Sequence, residues 1–249
     1  MTGPLLYEWR RIRTVRSTWL LVAVGIVVPA GLAVLFSGLG QSTTDQTGEP
    51  PAEVATALAA LLPLAAAILC TVGAASFGQE YRHGLIRVTL SIFPQRTTVF
   101  AAKLITVTVL VAVTAVATIA AIVLAEYLGR LVAGAPSGWP SGVLGSLGVI
   151  GVLYVTIFAL IAFAITALTR NQPLGIIAPI VLAVLIEPLI GLIAQSQFWT
   201  WSDWVLPFSS GQSALAVGGA EAWGHIAVFF AWFAALGIAA WLLFRRRDA

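Results

Sequence analysis

Six long apolar runs alternate with short polar segments along this chain, at about residues 18–39, 54–78, 103–125, 141–168, 174–194 and 224–244. Each reaches the roughly 20 residues that an α-helix needs to cross a hydrocarbon core about 30 Å thick. The third run is rich in Val, Thr, Ala and Ile, a composition that reads as strand in water. In lipid an isolated strand would leave its backbone groups without partners, so a run of this length with no charge after Lys103 is predicted to be helical. Pro63 stands in the second run, and Pro179 and Pro188 in the fifth. Membrane helices tolerate proline where neighbours satisfy the freed carbonyl. The expectation is an all-α membrane protein with six transmembrane helices, organised as a single transmembrane domain over residues 1–249.

The polar segments carry the remaining pattern. The island Gln79–Arg96, QEYRHGLIRVTLSIFPQR, holds Glu80, Arg82, His83, Arg87 and Arg96 between runs two and three. Phe77, Tyr81, Leu85 and Val88 recur at three- and four-residue spacing, the charges fall mostly off that stripe, and Pro94 ends the element. This predicts a short amphipathic helix at the membrane surface; the competing reading is a solvated loop with snorkelling arginines. Met1–Trp19 carries Arg10, Arg11, Arg13 and Arg16, with Leu5, Trp9, Ile12 and Val15 or Trp19 along one side. A basic interfacial helix with aromatic anchors is expected there. Basic residues before an apolar run also open secretory signal peptides, but an h-region is about 7–15 residues long. No charge occurs between Arg16 and Asp45, so the run is long enough to span the membrane and is expected to stay uncleaved.

Charge placement orients the bundle. Of the 13 Lys and Arg, 12 lie in the N-terminal segment, the island through Lys103, the TRNQP turn (Thr169–Pro173) and the FRRR tail; only Arg130 falls in an alternate loop. The loops Gly40–Glu53, Glu126–Pro140 and Gln195–Trp223 hold Asp45, Glu49, Glu53, Glu126, Asp203 and Glu221. Lys and Arg accumulate on the cytoplasmic side of membrane proteins, which places both termini and the island in the cytosol and the chain in the plasma membrane as a multi-pass protein. Composition agrees: 59 % of residues are hydrophobic and 9 % charged, with a mean hydropathy of +0.98, against about 25 % charged in soluble domains. The net charge of +3 does not suggest nucleic acid. The single cysteine, Cys70, lies inside an apolar run and reads as a small packed hydrophobe.

Catalytic chemistry is hard to find. There is no G-x-x-x-x-G-K-[ST] loop, and Lys103 is the only lysine, so ATP cannot be bound through that motif. His83 and His225 are predicted on opposite sides, and no Cys/His ligand cluster, H-E-x-x-H or G-x-S-x-G pattern occurs, so neither a metal nor an enzyme site is expected. Glu187 is the one ionisable residue deep in a span. It reads either as part of a translocation path or proton site, or as an acid at the outer interface beside the Trp-rich loop. That loop, with FWTWSDWVLPF, suggests short helices dipping back into the outer leaflet, or an aromatic belt anchor. Gly142, Gly145, Gly148 and Gly151 suit close helix packing, within the bundle as the first reading and at a dimer seam as the second.

The chain resembles the membrane subunit of an ABC-2 type ATP-binding-cassette transporter. The residues that carry the likeness are the island GQEYRHGLIRVTLSIFPQR (Gly78–Arg96), the basic start LLYEWRRIRTVRSTW (Leu5–Trp19), the six-span layout and the tail Phe244–Arg247. Glu80-Tyr81-Arg82-His83-Gly84 followed by Ile86-Arg87 looks like the family's E-x-R-x-G-T-x-R element, with Leu85 where Thr is common. The resemblance implies that the island is a cytosolic coupling helix docking in a cleft of a separate ATPase subunit. Glu80 and Arg82 would make polar contacts with that ATPase, while Tyr81 and Leu85 would seat the helix against the bundle. Gly84 would give a close approach or bend, with His83 and Arg87 in the same motif. It further implies an N-terminal helix along the membrane (Trp9, Arg10, Arg11, Arg13, Arg16) and re-entrant outer helices after span five. Two membrane subunits, identical or not, and two ATPases would form the transporter, usually an exporter. No cofactor would be bound by this chain, with ATP and Mg in the partner.

Two other readings stay open. One is a non-transporting membrane scaffold or anchor that binds a partner through the island. The other is an ion- or proton-coupled carrier using Glu187, although no internal repeat of the kind such carriers show is visible.

Overall fold

The computed structural model describes residues 2–39, 51–132, 141–196, 202–217 and 219–246. All elements among them are helical: α1 (Thr2–Thr14), α2 (Arg16–Leu39), α3 (Pro51–Arg82), α4 (Ile86–Ile92), α5 (Arg96–Val132), α6 (Ser141–Thr169), α7 (Gln172–Val181), a π-helical turn (Leu182–Ile186), α8 (Glu187–Ser196), α9 (Ser202–Val205), α10 (Pro207–Val217) and α11 (Gly219–Arg246). With α7, the π turn and α8 counted as one rod, six helices are long and apolar enough to cross a membrane. The loop residues 40–50 and 133–140, Trp199, Trp201 and Arg247 lie outside the described residues, as do the side chains of Gly142 and Asp203.

Several helices outrun the apolar runs that predict them. α3 continues through Gln79–Arg82, so the first part of the island is the end of span two. α5 has 37 residues and absorbs Glu126–Val132, predicted as loop. The cause is local: Glu126 and Arg130 are buried against the bundle, so helical hydrogen bonding has no reason to stop where apolar character does. The β-branched composition of α5 is accommodated by its threonines. Thr106, Thr114 and Thr118 donate to the carbonyls of Ala102, Leu110 and Thr114 at 2.6, 2.8 and 2.9 Å, which satisfies each buried hydroxyl within its own helix.

α6 is the hub. It packs against α3, α5, α7, α10 and α11, and 72 % of its apolar stretch is buried, against 17 % for the α7–α8 rod and 17 % for α11. The closest approach to its backbone is at Gly73 of α3, where an added Cβ would stand 2.1 Å from the Ala159 carbonyl oxygen; only hydrogen fits. The predicted glycine seam on α6 is mostly not a packing seam within the described chain. Gly151 meets Leu62 and Ile119, whereas nothing lies within 4 Å of a Cβ at Gly145 or Gly148.

Two aromatic clusters tie the helices together. Phe77, Phe100, Phe163 and Phe244 tie α3, α5, α6 and α11 together at the end where the N-terminus sits, with centroids 5.0 to 6.0 Å apart. Tyr154, Phe158, Phe208 and Phe229 join α6, α10 and α11 near the middle of α6. Such ring pairs add roughly 0.5–1.5 kcal/mol each beyond their burial.

Candidate functional site

Four charged side chains from three helices meet above the first aromatic cluster. Lys103, on the inward face of α5, has no exposed surface. Its Nζ donates to Glu8 Oε1 of α1 at 2.7 Å and to Glu80 Oε1 of α3 at 2.5 Å, and lies 5.4 Å from the centre of the Phe77 ring. Arg11, one turn beyond Glu8 on α1, pairs with Glu80 through Nη1 and donates through Nη2 to the Ser76 carbonyl at 2.9 Å. It also stands 3.5 Å from Glu8 Oε2. Two carboxylates and two cations cancel. That balance is what permits the burial, since each charge alone would face a desolvation penalty of several kcal/mol.

The cluster explains why α1 presents an unexpected face. The predicted apolar side was Leu5, Trp9, Ile12 and Val15. The structure buries Glu8 and Ile12 and half-buries Arg11 and Val15, one residue set at helical spacing, while Leu5 and Trp9 are 39 % and 42 % exposed. Ion pairing at Glu8 and Arg11 outweighs the small apolar gain and rotates the helix. Arg10, Arg13 and Arg16 point outward. At its far end α1 touches α4 through Tyr7 and Phe93, ring centroids 6.1 Å apart.

The island resolves into three parts. Residues 79–82 finish α3, with Glu80 turned inward and only 2 % exposed. His83, Gly84 and Leu85 form a turn in which Gly84 takes φ +67°, a conformation that strains a residue with a Cβ. α4 follows and buries Ile86 and Thr89. The predicted stripe Phe77–Tyr81–Leu85–Val88 is therefore broken at Gly84. Phe77 is buried and Tyr81 stacks on it at 6.0 Å, but Leu85 and Val88 are 49 % and 55 % exposed. Leu85, His83, Arg82, Arg87 and Val88 thus share the outward surface.

Glu187, inside the fifth span, sits where the α7–α8 rod loosens. Pro188 has no N–H and its ring crowds the carbonyl one turn back; the Leu182–Ile186 π turn absorbs this, with the Glu187 N–H donating to the Leu182 carbonyl. The Glu187 side chain is 3 % exposed, and Oε2 accepts the Ser209 N–H at 2.6 Å in the first turn of α10. It is a capping carboxylate for a helix on a different part of the chain. Nearby, Ser210 donates to the His225 carbonyl at 2.9 Å, and Trp204 stacks on the His225 ring at 4.0 Å.

Sequence reasoning brought Arg11 and Glu80 forward but not as partners, and it missed Glu8 and the role of Lys103. A lone acid among four N-terminal arginines and a lone lysine in an apolar helix were the available signals, because charges at such positions seek each other.

The described chain is a six-span helical bundle with most of its described cations at one end and, between spans two and three, a turn at Gly84 followed by the short helix α4. The chain belongs to the ABC-2 family of transporter proteins: the family model described as "ABC-2 family transporter protein" matches residues 5–186, from α1 to the π turn. It is a multi-pass membrane protein with a permease role, and membership implies an ATPase partner. No curated protein matches the chain.

Proposed function

We propose that this chain is the membrane-embedded permease subunit of an ATP-driven exporter and forms one transmembrane domain. Both termini would lie in the cytosol, and the His83–Ile92 segment would serve as the coupling element for a separate ATPase subunit. The observation that carries this is the pairing of an outward surface (Arg82, His83, Leu85, Arg87, Val88) with a rigid backing. Glu80 at its root is locked to α1 and α5 through Arg11, Glu8 and Lys103. A push on the turn is then transmitted to three helices at once rather than dissipated in a loop.

In this reading His83, Leu85 and Arg87 meet the ATPase, with Arg82 at the edge of that surface, and Tyr81 seats the turn, while Glu80 acts from behind, through the buried pairs. Gly84 makes the bend. α1, with Trp9, Arg10, Arg13 and Arg16 outward, lies along the membrane surface. α9 and α10 are re-entrant outer helices, and a second membrane subunit, identical or not, completes the path. ATP and Mg are the partner's.

The test is co-purification with an ABC-type ATPase subunit co-expressed with this chain. Arg87→Glu with Leu85→Asp should abolish association and ATP-dependent transport while leaving thermal stability in detergent unchanged. Full association in that variant would refute the assignment. Export is checked by substrate efflux from inverted vesicles against uptake.

A further inference from the structure

A second polar feature at the basic end is unrelated to the buried charge cluster. A cleft of about 490 Å³ opens between the end of α3 and the start of α7, lined by Tyr81, Arg82, Arg170, Asn171, Gln172 and Ile176 among others. We propose that this cleft holds the phosphate of an anionic phospholipid, in the leaflet at the basic end. Only the naming of that leaflet as the inner one rests on the orientation proposed above.

The charge balance points to an anion. No carboxylate lines the cleft. Glu8 and Glu80, the described acids of this end, are each 2 % exposed and turned to Lys103 and Arg11. The two arginines that line it come from different elements. Arg82 ends α3. Arg170 occupies the turn between α6 and α7 with φ +56°, an unfavourable conformation for a side chain with a Cβ. Its guanidinium lies over the Tyr81 ring at 5.5 Å. A pair of guanidinium groups facing one space suits the oxygens of a phosphate, which accept charge-assisted hydrogen bonds.

The surroundings point to a lipid rather than a soluble phosphate or an acidic protein loop. The cleft sits where α7 begins, and its α7 wall is Gln172, Pro173 and Ile176. Beyond them Leu174 and Ile177 are 46 % and 57 % exposed on an apolar helix. A headgroup in the cleft would therefore lay its acyl chains along an apolar surface. A soluble anion would gain nothing from it.

The experiment uses the full-length chain, purified in a neutral detergent and delipidated. Thermal stability and native mass spectra are recorded with phosphatidylglycerol, phosphatidylcholine, inorganic phosphate and glycerophosphoglycerol. Phosphatidylglycerol should bind and stabilise; the other three should not. Arg82→Gln and Arg170→Gln should each weaken phosphatidylglycerol by about tenfold, the scale of one charge-assisted contact. Arg87→Gln, outside the cleft, should leave it unchanged, and the paired lysine variants should recover part of the loss. Should a glutamine variant not fold, a phosphatidylglycerol carrying a photoreactive headgroup is crosslinked to the unmodified chain. Adducts should map to residues 78–82 and 170–176.

Equal binding of inorganic phosphate would overturn the lipid assignment in favour of a soluble anion. Adducts elsewhere, or glutamine variants that keep full affinity, would overturn the site. Loss of ATPase co-purification in Arg82→Gln and Arg170→Gln with no change in lipid binding would make the cleft a protein contact instead. Failure of the coupling reading is seen separately, through Leu85 and Arg87, which do not line the cleft.

Discussion

Lys103 Nζ and Glu80 Oε1 lie 2.5 Å apart with 0 and 2 % of their side chains exposed, 23 residues apart in sequence and on different helices. Glu8 reaches the same ammonium from α1. Removing one member of a buried pair leaves the others unpaired and costs about 3–5 kcal/mol. Lys103→Met leaves Glu8 and Glu80 to share Arg11 alone, one cation for two buried carboxylates, and is expected to fall in that range. Glu80→Gln leaves Lys103 paired with Glu8 and should lose less. Thermal or denaturant unfolding in detergent ranks them. Equal stability of Lys103→Met and the parent would mean that the ions do not hold α1 in place.

Gly73 makes a second stability prediction of a different kind. A Cβ there would collide with the Ala159 carbonyl oxygen, which is backbone and cannot rotate away. Gly73→Ala must therefore push α3 from α6, and about 1–3 kcal/mol of destabilisation is expected from overpacking. Gly31, in α2, has open space where a methyl group would stand, with nothing within 4 Å. Gly31→Ala should be neutral or slightly stabilising in the same unfolding assay, since alanine is the better helix former.

These two sites show what was legible beforehand. The six spans follow from apolar runs of about 20 residues, a signal contained in each segment by itself. The asymmetry of cations likewise needs only counting. The partners of Glu80 do not, because Glu8, Arg11 and Lys103 come from elements brought together only by the fold. The outward turn of Leu85 was hidden for another reason. A stripe at helical spacing assumes one continuous helix, and Gly84 with φ +67° ends it. Ser209 as the partner of Glu187 was equally out of reach: 22 residues and another helix separate them.

The coupling surface has a salt signature. Arg82, His83 and Arg87 are exposed around Leu85, so their attraction to an acidic cleft should be screened as the Debye length falls from about 10 Å at 0.1 M to about 3 Å at 1 M. Association of the ATPase, followed by size exclusion or surface binding, is expected to weaken across that range. In Arg87→Gln the salt dependence should be shallower, whereas Leu85→Ala should weaken binding at all salt concentrations alike. Association indifferent to salt would place the contact on the apolar residues alone.

Glu187 separates a structural acid from a transporting one. Its Oε2 holds the Ser209 N–H at the start of α10, and α10 in turn buries Phe208, Ala214 and Leu215 against the bundle. Glu187→Gln keeps an oxygen acceptor and drops only the charge–dipole contribution, about 0.3–1 kcal/mol. Glu187→Leu removes the acceptor and leaves a helix N-terminus with an unmet donor, about 1–3 kcal/mol. If capping is its whole role, unfolding should order the parent, Glu187→Gln and Glu187→Leu in falling stability. ATP-driven transport by Glu187→Gln should then track that of the parent. The opposite result is equally clear. A Glu187→Gln chain that melts like the parent yet transports nothing would mean that this carboxylate exchanges a proton or ion during the cycle. Persistence of parent transport without any ATPase would complete the case for the ion-coupled carrier.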